Sequence, residues 1–212
     1  MFANSHIIIF SRYPVPGKTK TRLIPLLGAL KAAQLQRTMT EKIAGEALKV
    51  AEQHSVPVSV FFTDDTMEEM TSWLGPSFNY HPQIRGDIGS RMDDAFTRTF
   101  ADSCTQSAIL IGSDIPEITA EIITEGFLSL KNKDTVIGPA GDGGYYLIGM
   151  KSEDAPQFRK LLFHRIPWST GEVARITRKR LADAGYSCSL LPLLHDIDRP
   201  EDLYIAARIN LI

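Results

Sequence analysis

The sequence predicts an α/β fold in which helices flank a mostly parallel central sheet. Short apolar runs alternate along the chain with longer segments of helical period. Runs of this kind are typical of strands that are buried on both faces of a sheet. Alternation of strand and helix in turn favours parallel strands joined by right-handed crossovers. With 212 residues, 43% of them apolar, the chain is large enough to bury a core without disulfides or metals.

The pattern predicts six strands and six helices. The strands are Ile7–Phe10, Val58–Phe62, Ala108–Ile111, Val136–Ile137, Tyr145–Ile148 and Ser187–Leu191. The helices are Ala29–His54, Met67–Leu74, Arg91–Asp102, Thr119–Leu130, Gly171–Ala184 and Pro200–Ile209. Pro57 fits the start of the second strand, and Gly185 fits the end of the fifth helix. No repeat or flexible linker interrupts this pattern, so we expect residues 1–212 to form one domain.

Charge and composition narrow the range of functions. The 23 basic and 25 acidic residues give a net charge of −2, without the basic excess that nucleic-acid or membrane-surface binding usually requires. Two cysteines are too few for a disulfide framework or a cysteine-based zinc site. The apolar run Ile7–Phe10 is too short to span a membrane, and no basic segment precedes it. We therefore expect a cytoplasmic protein that meets any anionic ligand with a local cluster of cations.

Four loops follow predicted strands and are candidates for the functional site. In open α/β sheets, ligands bind beyond the carboxyl ends of the strands, where the strand order reverses. The first of these loops carries cations and the other three carry carboxylates, and we expect all four to open on one edge of the sheet. They are Ser11–Arg22, Gly112–Pro116, Gly138–Gly144 and His195–Asp198.

The first loop is a candidate diphosphate-binding segment. Arg12, Lys18, Lys20 and Arg22 lie within eleven residues, and basic side chains form charge-assisted hydrogen bonds to phosphates. Alternate spacing in an extended segment predicts that the last three point to one side, and Gly17 lets backbone N–H groups approach an anion. An ordinary solvated basic loop is the alternative. A Walker P-loop is excluded because it needs glycine at position 12.

Asp114 and a C-terminal aspartate are candidate ligands of a divalent cation. Magnesium commonly takes one or two protein carboxylates together with substrate phosphates and water. Asp114 follows a buried strand, and either Asp198, which we favour, or Asp196 could complete the pair. The structural alternatives are a turn residue for Asp114 and an N-cap before Pro200 for Asp198.

The glycine-rich segment Gly141–Gly144 predicts a hairpin turn that presents a carboxylate to the substrate. Asp-Gly between apolar runs is a strong hairpin signal. We expect Asp142 to contact the acceptor or act as general base, and Gly143 and Gly144 to let the backbone approach the substrate.

Two further segments contribute weaker candidates. Trp168 and Ser169 precede a predicted helix, and Trp168 either lines an acceptor pocket or packs beneath the loop. Asp87 and Arg91 lie in another glycine-bracketed acidic loop and are candidates for base or ribose contacts. Ser90 and Asp93 in that loop resemble a structural capping box.

Taken in chain order, six motifs resemble the DUF2064 family, whose members are described as glycosyltransferases of the GT-A, nucleotide-diphospho-sugar transferase type. The layout is also similar to that of molybdenum-cofactor and phospholactate guanylyltransferases. The resemblance implies a single-domain Rossmann-like GT-A fold. The motifs are Ser11–Leu23, Gly86–Met92, Gly112–Pro116, Gly138–Leu147, Trp168–Thr170 and Asp196–Leu203.

The resemblance also implies roles for individual residues. Lys18 and Arg22 would hold nucleotide phosphates, Asp114 would bind Mg²⁺ or Mn²⁺, and Asp198 would complete the metal site. One departure matters, because Gly112 stands where the first aspartate of the Asp-x-Asp signature of many glycosyltransferases would fall. The single carboxylate of Asp114 is closer to the nucleotidyltransferase pattern.

Three functions are therefore compatible with the sequence. The first is metal-dependent glycosyl transfer from a nucleotide sugar to a small acceptor, with Asp114, Asp142 and Lys18 as the catalytic residues. The second is nucleotidyl transfer from a nucleoside triphosphate to a phosphorylated small molecule, with release of pyrophosphate. The third is a nucleotide-binding module without catalytic activity.

Overall fold

A mixed seven-stranded sheet forms the centre of the molecule. A computed structural model describes residues 2, 4–153 and 155–211, and within these ranges the sheet has the order β3-β2-β1-β4-β6-β5-β7. The strands are β1 (Ser5–Arg12), β2 (Val58–Thr63), β3 (Asn79–Pro82), β4 (Ser107–Gly112), β5 (Thr135–Pro139), β6 (Tyr145–Lys151) and β7 (Cys188–Leu190). β6 runs antiparallel to β4 and β5, and the other pairings are parallel. The predicted mostly parallel α/β sheet is confirmed.

Helices connect the strands and cover both faces of the sheet. In the described part of the chain they are α1 (Ile24–Leu27), α2 (Ala29–His54), α3 (Met67–Leu74), α4 (Ile88–Phe100), α5 (Ala120–Leu130), α6 (Ala155–Phe163), α7 (Val173–Asp183) and α8 (Leu203–Arg208). Two short 3-10 helices, Thr21–Leu23 and Pro200–Asp202, precede α1 and α8. None of the helices in the described ranges is long and apolar enough to cross a membrane.

The core consists of two layers, one on each face of the sheet. Ile7 and Ile9 of β1 are buried in a cluster with side chains of α2 and α5. Ile8 and Phe10 point to the opposite face and pack with side chains of α4, α6 and α7. Successive residues of a strand point to opposite faces, so a continuous apolar run is what a strand covered on both sides requires.

A third apolar cluster joins the first loop to the C-terminal segment. It contains Leu23, which follows the basic loop, and Ile197, which lies between two aspartates; neither is accessible to solvent. Side chains of α2 and α8 complete this cluster. The cluster therefore holds the basic loop against the segment Asp196–Asp198, although 176 positions separate Arg22 from Asp198.

Three elements, namely β3, α6 and the short helix α1, were not predicted, and several boundaries differ from the predictions. β3 was not predicted because its sequence, Asn-Tyr-His-Pro, carries one apolar side chain that is buried and lies at the sheet edge. α6 was also missed. α4 begins at Ile88 rather than Arg91, because the Asp87 carboxylate accepts a hydrogen bond from Ser90 N at 2.7 Å and so caps the helix. The predicted capping box of Ser90 and Asp93 is therefore wrong.

Candidate functional site

A polar cavity lies beyond the carboxyl ends of β1 and β4. These strands are neighbours in the sheet, while β2 and β3 extend from β1 in the other direction, so this is the point where the strand order reverses. Ligands of open α/β sheets bind at such a point. The cavity has a volume of about 320 Å³ and is lined by Arg12, Lys20, Gln36, Arg91, Asp114 and Asp198, among others. We call it the polar cavity.

Lys20 is at the centre of an ion network in this cavity. Its ammonium lies 2.8 Å from Asp114 Oδ1 and 3.8 Å from Asp198 Oδ1, and its side chain is only 4% exposed. Arg22 forms a second ion pair with Asp198 through Oδ2. The structure thus brings together two cations of the first loop and two of the predicted metal ligands.

The first loop does not have the extended conformation that its alternating charges suggested. Gly17 has a φ of 85° within a turn, Lys20 has a φ of 49°, and Thr21–Leu23 form a 3-10 helix. The extended conformation behind the prediction that residues 18, 20 and 22 point to one side is therefore wrong, although Lys20 and Arg22 do converge on Asp198. Lys20 points into the cavity, Arg22 is 61% exposed beside Asp198, and Lys18 is exposed and, among the described residues, does not line the cavity.

Asp114 stays ionised although protein atoms crowd it. Crowding raises the pKa of the Asp114 carboxyl, but the charge and hydrogen bond of Lys20, together with Gln36, outweigh it and hold the pKa below its ordinary value. Gln36 is buried and donates to the carbonyl of Ser113 at 3.2 Å, which fixes the backbone beside Asp114. The Asp114 side chain is 58% exposed, so its carboxylate remains accessible from the cavity.

Two arginines, Arg12 and Arg91, also line the polar cavity. Arg12 pairs with Asp64 at 3.0 Å. Arg91 donates from Nη1 to Gln83 Oε1 at 3.0 Å, and Gln83 in turn donates to the carbonyl of Phe61 at 2.8 Å. Burial and the charge of Arg12 lower the pKa of Arg91. One hydrogen bond, from Nη1 to Gln83, thus orients the Arg91 guanidinium at the cavity wall.

Asp87, the other candidate for base or ribose contacts, is occupied elsewhere. Its carboxylate caps α4 by accepting from Ser90 N. Hydrogen bonds with the side chain and then with the backbone of Ser90 are the main causes that lower the pKa of Asp87. Among the described residues, Asp87 does not line the polar cavity.

A second, more apolar cavity adjoins the first. Its volume is about 410 Å³, and it shares Phe10, Gly112 and Asp114 with the polar cavity. Tyr145 and Trp168 line it and meet edge to face, with ring centroids 6.2 Å apart. Gly144 and Ser169 also line it. We call it the aromatic cavity; Trp168, which the sequence left between a pocket and a packing role, lies in its wall.

Asp142 lies at the boundary between the aromatic cavity and a third, acidic cavity of about 590 Å³. The predicted hairpin between β5 and β6 is confirmed, and Asp142 Oδ1 accepts from Gly144 N at 2.8 Å within the turn. Asp196 also lines the acidic cavity. Burial and the nearby charge of Asp142 raise the pKa of Asp196.

The glycines of this turn serve the fold of the chain. A Cβ at Gly143 would clash with the backbone of Gly171, and a Cβ at Gly144 would lie 3.1 Å from Asp142 Oδ1. Gly143 is therefore glycine because two loops pack closely here. The predicted contact of Gly143 with substrate stays a prediction. Of the two glycines, Gly144 lines the aromatic cavity.

The donor set at Asp114 and Asp198 fits a hydrated divalent cation. Both are hard oxygen ligands, with side chains 58% and 32% exposed, and Mg²⁺ needs no more than one or two carboxylates when phosphates and water complete its shell. In the described part of the chain, no three His, Cys, Asp or Glu residues form a metal-binding group. The ammonium of Lys20 pairs with both Asp114 and Asp198, which favours Asp198 over Asp196 as the second ligand.

The C-terminal segment is fixed by a different carboxylate from the one expected. Asp202 Oδ2 accepts from Asp198 N at 3.0 Å and from Arg199 N at 2.7 Å. The alternative that Asp198 is the helix cap is therefore wrong, and both of its oxygens face cations. Sequence reasoning also missed Gln36 and Gln83. For Gln36 there was a signal, because it is a polar residue on the buried face of α2, between Leu35 and Met39.

The sheet, its flanking helices and the cleft at the strand-order reversal define an α/β protein of the nucleotide-diphospho-sugar transferase-like, GT-A type. The chain belongs to the DUF2064 family, described as an uncharacterized protein conserved in bacteria, whose model matches residues 46–170. No curated protein matches the sequence.

Solved structures share this fold over nearly the whole chain. A candidate nucleotide-diphospho-sugar transferase from Desulfovibrio desulfuricans G20 is 32% identical, with 98% of this chain and 88% of that chain covered and a TM-score of 0.86. A CMP:2-keto-3-deoxy-manno-octonic acid synthetase in complex with CTP is 15% identical, with 99% of both chains covered and a TM-score of 0.61. Rv0371c of Mycobacterium tuberculosis H37Rv, in complex with manganese, is 12% identical, with 95% of this chain and 97% of that chain covered and a TM-score of 0.52.

Proposed function

We propose that this protein is a metal-dependent transferase that uses a nucleotide-activated donor. The donor that we favour is a nucleotide-diphospho-sugar, whose sugar passes to a small hydroxylated acceptor. The observation that carries the proposal is the network of Lys20, Asp114 and Asp198 at the junction of a polar and an aromatic cavity. The likeness to a candidate nucleotide-diphospho-sugar transferase supports it.

The polar cavity is the proposed nucleotide site. Arg12, Lys20 and Arg91 provide cations in its lining, and charge-assisted hydrogen bonds from such groups bind phosphate oxygens strongly. As the leaving nucleoside diphosphate gains negative charge, Lys20 donates to its phosphate oxygens and stabilises that charge. Arg22, beside Asp198, adds positive charge at the edge of the site.

Asp114 and Asp198 are the proposed holders of Mg²⁺ or Mn²⁺. Such an ion, when bound, neutralises phosphate charge as a Lewis acid. The manganese complex of a protein with the same fold supports the choice of metal. The low pKa of Asp114 keeps its carboxylate ionised and therefore available as a ligand at neutral pH.

The aromatic cavity is the proposed site of the sugar and the acceptor. Trp168 and Tyr145 offer aromatic surface, and Gly144 and Ser169 contribute backbone and hydroxyl groups. Asp142 at the cavity rim is the proposed general base, which orients the acceptor hydroxyl and accepts its proton.

Nucleotidyl transfer is the second candidate, and Gly112 favours it. A glycosyltransferase signature would place a carboxylate at this position, and the chain has none there. In this reaction the same cations stabilise departing pyrophosphate while an oxygen of a phosphorylated small molecule attacks the α-phosphorus.

Thermal shift measurements with a panel of nucleotide sugars and nucleoside triphosphates, with and without Mn²⁺, test the proposal. We expect stabilisation by one class of donor that depends on Mn²⁺ and is lost in Asp114→Asn. Mass spectrometry of the products then separates diphosphate release from pyrophosphate release. Stabilisation without turnover on any donor and acceptor would identify a binding module, and no stabilisation by any nucleotide would overturn the proposal.

A further inference from the structure

Gly112 is a glycine that the fold of the chain does not require. It is the last residue of β4, and its φ lies outside the left-handed region. A Cβ built at Gly112 would have no described heavy atom within 4 Å other than its chain neighbours. At Gly149 and Gly126, by contrast, a Cβ would lie 2.8 and 2.9 Å from side-chain atoms of Ile109. Neither packing nor backbone conformation explains the missing side chain at Gly112.

The open space at Gly112 lies where the polar and aromatic cavities meet. Gly112 lines both cavities, as do Phe10, its partner in the register of β1 and β4, and Asp114 two residues later. Asp114 is paired with Lys20 at the proposed phosphate site, and Tyr145 and Trp168 line the other side. Gly112 is thus one of the residues, with Ile88 and Arg91 among the others, along which a molecule that occupies both cavities would lie.

We propose that Gly112 is a specificity-determining residue, whose missing side chain leaves room for the junction between the diphosphate and the sugar of a nucleotide sugar. This inference rests on the proposed function. A ligand that ends at the phosphates fills the polar cavity and does not need the space. A ligand that continues into a sugar needs it, and a methyl group at position 112 then overlaps with ligand atoms while leaving the protein's own packing unchanged.

The substitution Gly112→Ala tests this with a matched control. Gly45 in α2 has an ordinary φ and a Cβ position equally free of neighbours, and it does not line the two cavities. Gly45→Ala therefore introduces the same methyl group away from the site. Thermal unfolding should show both variants folded, because neither new Cβ meets a protein atom.

Isothermal titration in the presence of Mn²⁺ provides the measurement. The ligands are UDP-glucose, GDP-mannose and dTDP-glucose, and the tightest of these is compared with its own nucleoside diphosphate. We expect Gly112→Ala to bind the nucleotide sugar about tenfold or more weakly, because the new methyl group overlaps with atoms of the ligand. The same variant should bind the nucleoside diphosphate within about twofold of the unaltered protein. Gly45→Ala should match the unaltered protein with both ligands.

The outcomes separate this inference from the proposed function. If the unaltered protein binds none of these ligands, the nucleotide-sugar proposal fails and this inference fails with it. If the unaltered protein binds them and Gly112→Ala affects both ligands equally, or neither, the inference on Gly112 alone is overturned. Loss of folding in Gly112→Ala but not in Gly45→Ala would also overturn it, because the fold would then need the space.

Discussion

At the scale of single residues, the position of Lys20 decides the electrostatics of the site. Its ammonium is buried between the carboxylates of Asp114 and Asp198, and its backbone has a left-handed φ of 49°. That conformation costs an L-residue about 1–2 kcal/mol. Ion pairs with two carboxylates offset this cost, and they place the ammonium where phosphates would arrive in the proposed complex.

Replacement of Lys20 by methionine tests this role against that of Lys18, which the family resemblance favoured. Lys20→Met should weaken Mn²⁺-dependent nucleotide binding by about 1.5–3 kcal/mol, the worth of a charged hydrogen bond. It should also strengthen binding of Mn²⁺ alone, because the ammonium no longer shares Asp114 and Asp198 with the ion. Titration calorimetry of Lys20→Met and of the unaltered protein, with nucleotide and with Mn²⁺ alone, measures both affinities.

Lys18→Met is the control for this experiment. Lys18 belongs to the same loop but is exposed, so its replacement should change both affinities little. Equal losses in the two variants would contradict the central position given to Lys20 and would restore Lys18 as a phosphate ligand.

Sequence reasoning found the charged residues of the site but not the residues that orient them. Asp114 and Asp198 lie in loops that follow predicted strands, so their approach to one another could be anticipated from the rule on strand ends. Gln36 and Gln83 act on carbonyls of distant segments, Ser113 and Phe61. Such contacts depend on how helices and strands pack, and local patterns do not encode them.

At the scale of elements, helix ends explain where the sequence predictions were least accurate. α2 is an exception, because both of its ends agree with the prediction and its buried residues follow a helical period over many turns. Starts of helices depend on single capping side chains, and several candidates compete within a few residues. In the segment Asp87–Asp93 the observed cap is Asp87, three residues before the predicted one.

The two possible roles of Asp87 can be separated by one substitution. Asp87→Ala removes the hydrogen bond to Ser90 N and should lower the free energy of unfolding by about 0.5–2 kcal/mol. Nucleotide affinity should stay unchanged, since the Asp87 carboxylate is engaged by α4. Chemical denaturation and nucleotide titration of the same preparation measure the two quantities. A loss of affinity without a loss of stability would instead support the predicted contact with base or ribose.

At the scale of the whole molecule, the candidate site and a buried histidine lie at opposite ends of the same strand. Arg12 and the site lie at the carboxyl end of β1, and His6 lies near the amino end of the same strand. His6 Nε2 is 2.8 Å from Ser59 Oγ of β2. Burial, with a smaller contribution from the charge of His81, lowers the pKa of His6 to about 4.

This low pKa predicts that acid destabilises the fold from the end of the sheet opposite the site. Between about pH 6.5 and 4 the unfolded chain binds a proton that folded His6 rejects, so the free energy of unfolding falls as the pH falls through this range. The contribution of His6 is fully present above pH 6.5 and amounts to about 3 kcal/mol. His6→Asn should reduce this part of the pH dependence, as measured by denaturant unfolding at several pH values.

His164→Asn, at an exposed histidine, serves as the control and should keep the slope of the unaltered protein. An unchanged slope in His6→Asn would mean that other groups cause the acid sensitivity, and that β1 tolerates a charge beside Ser59.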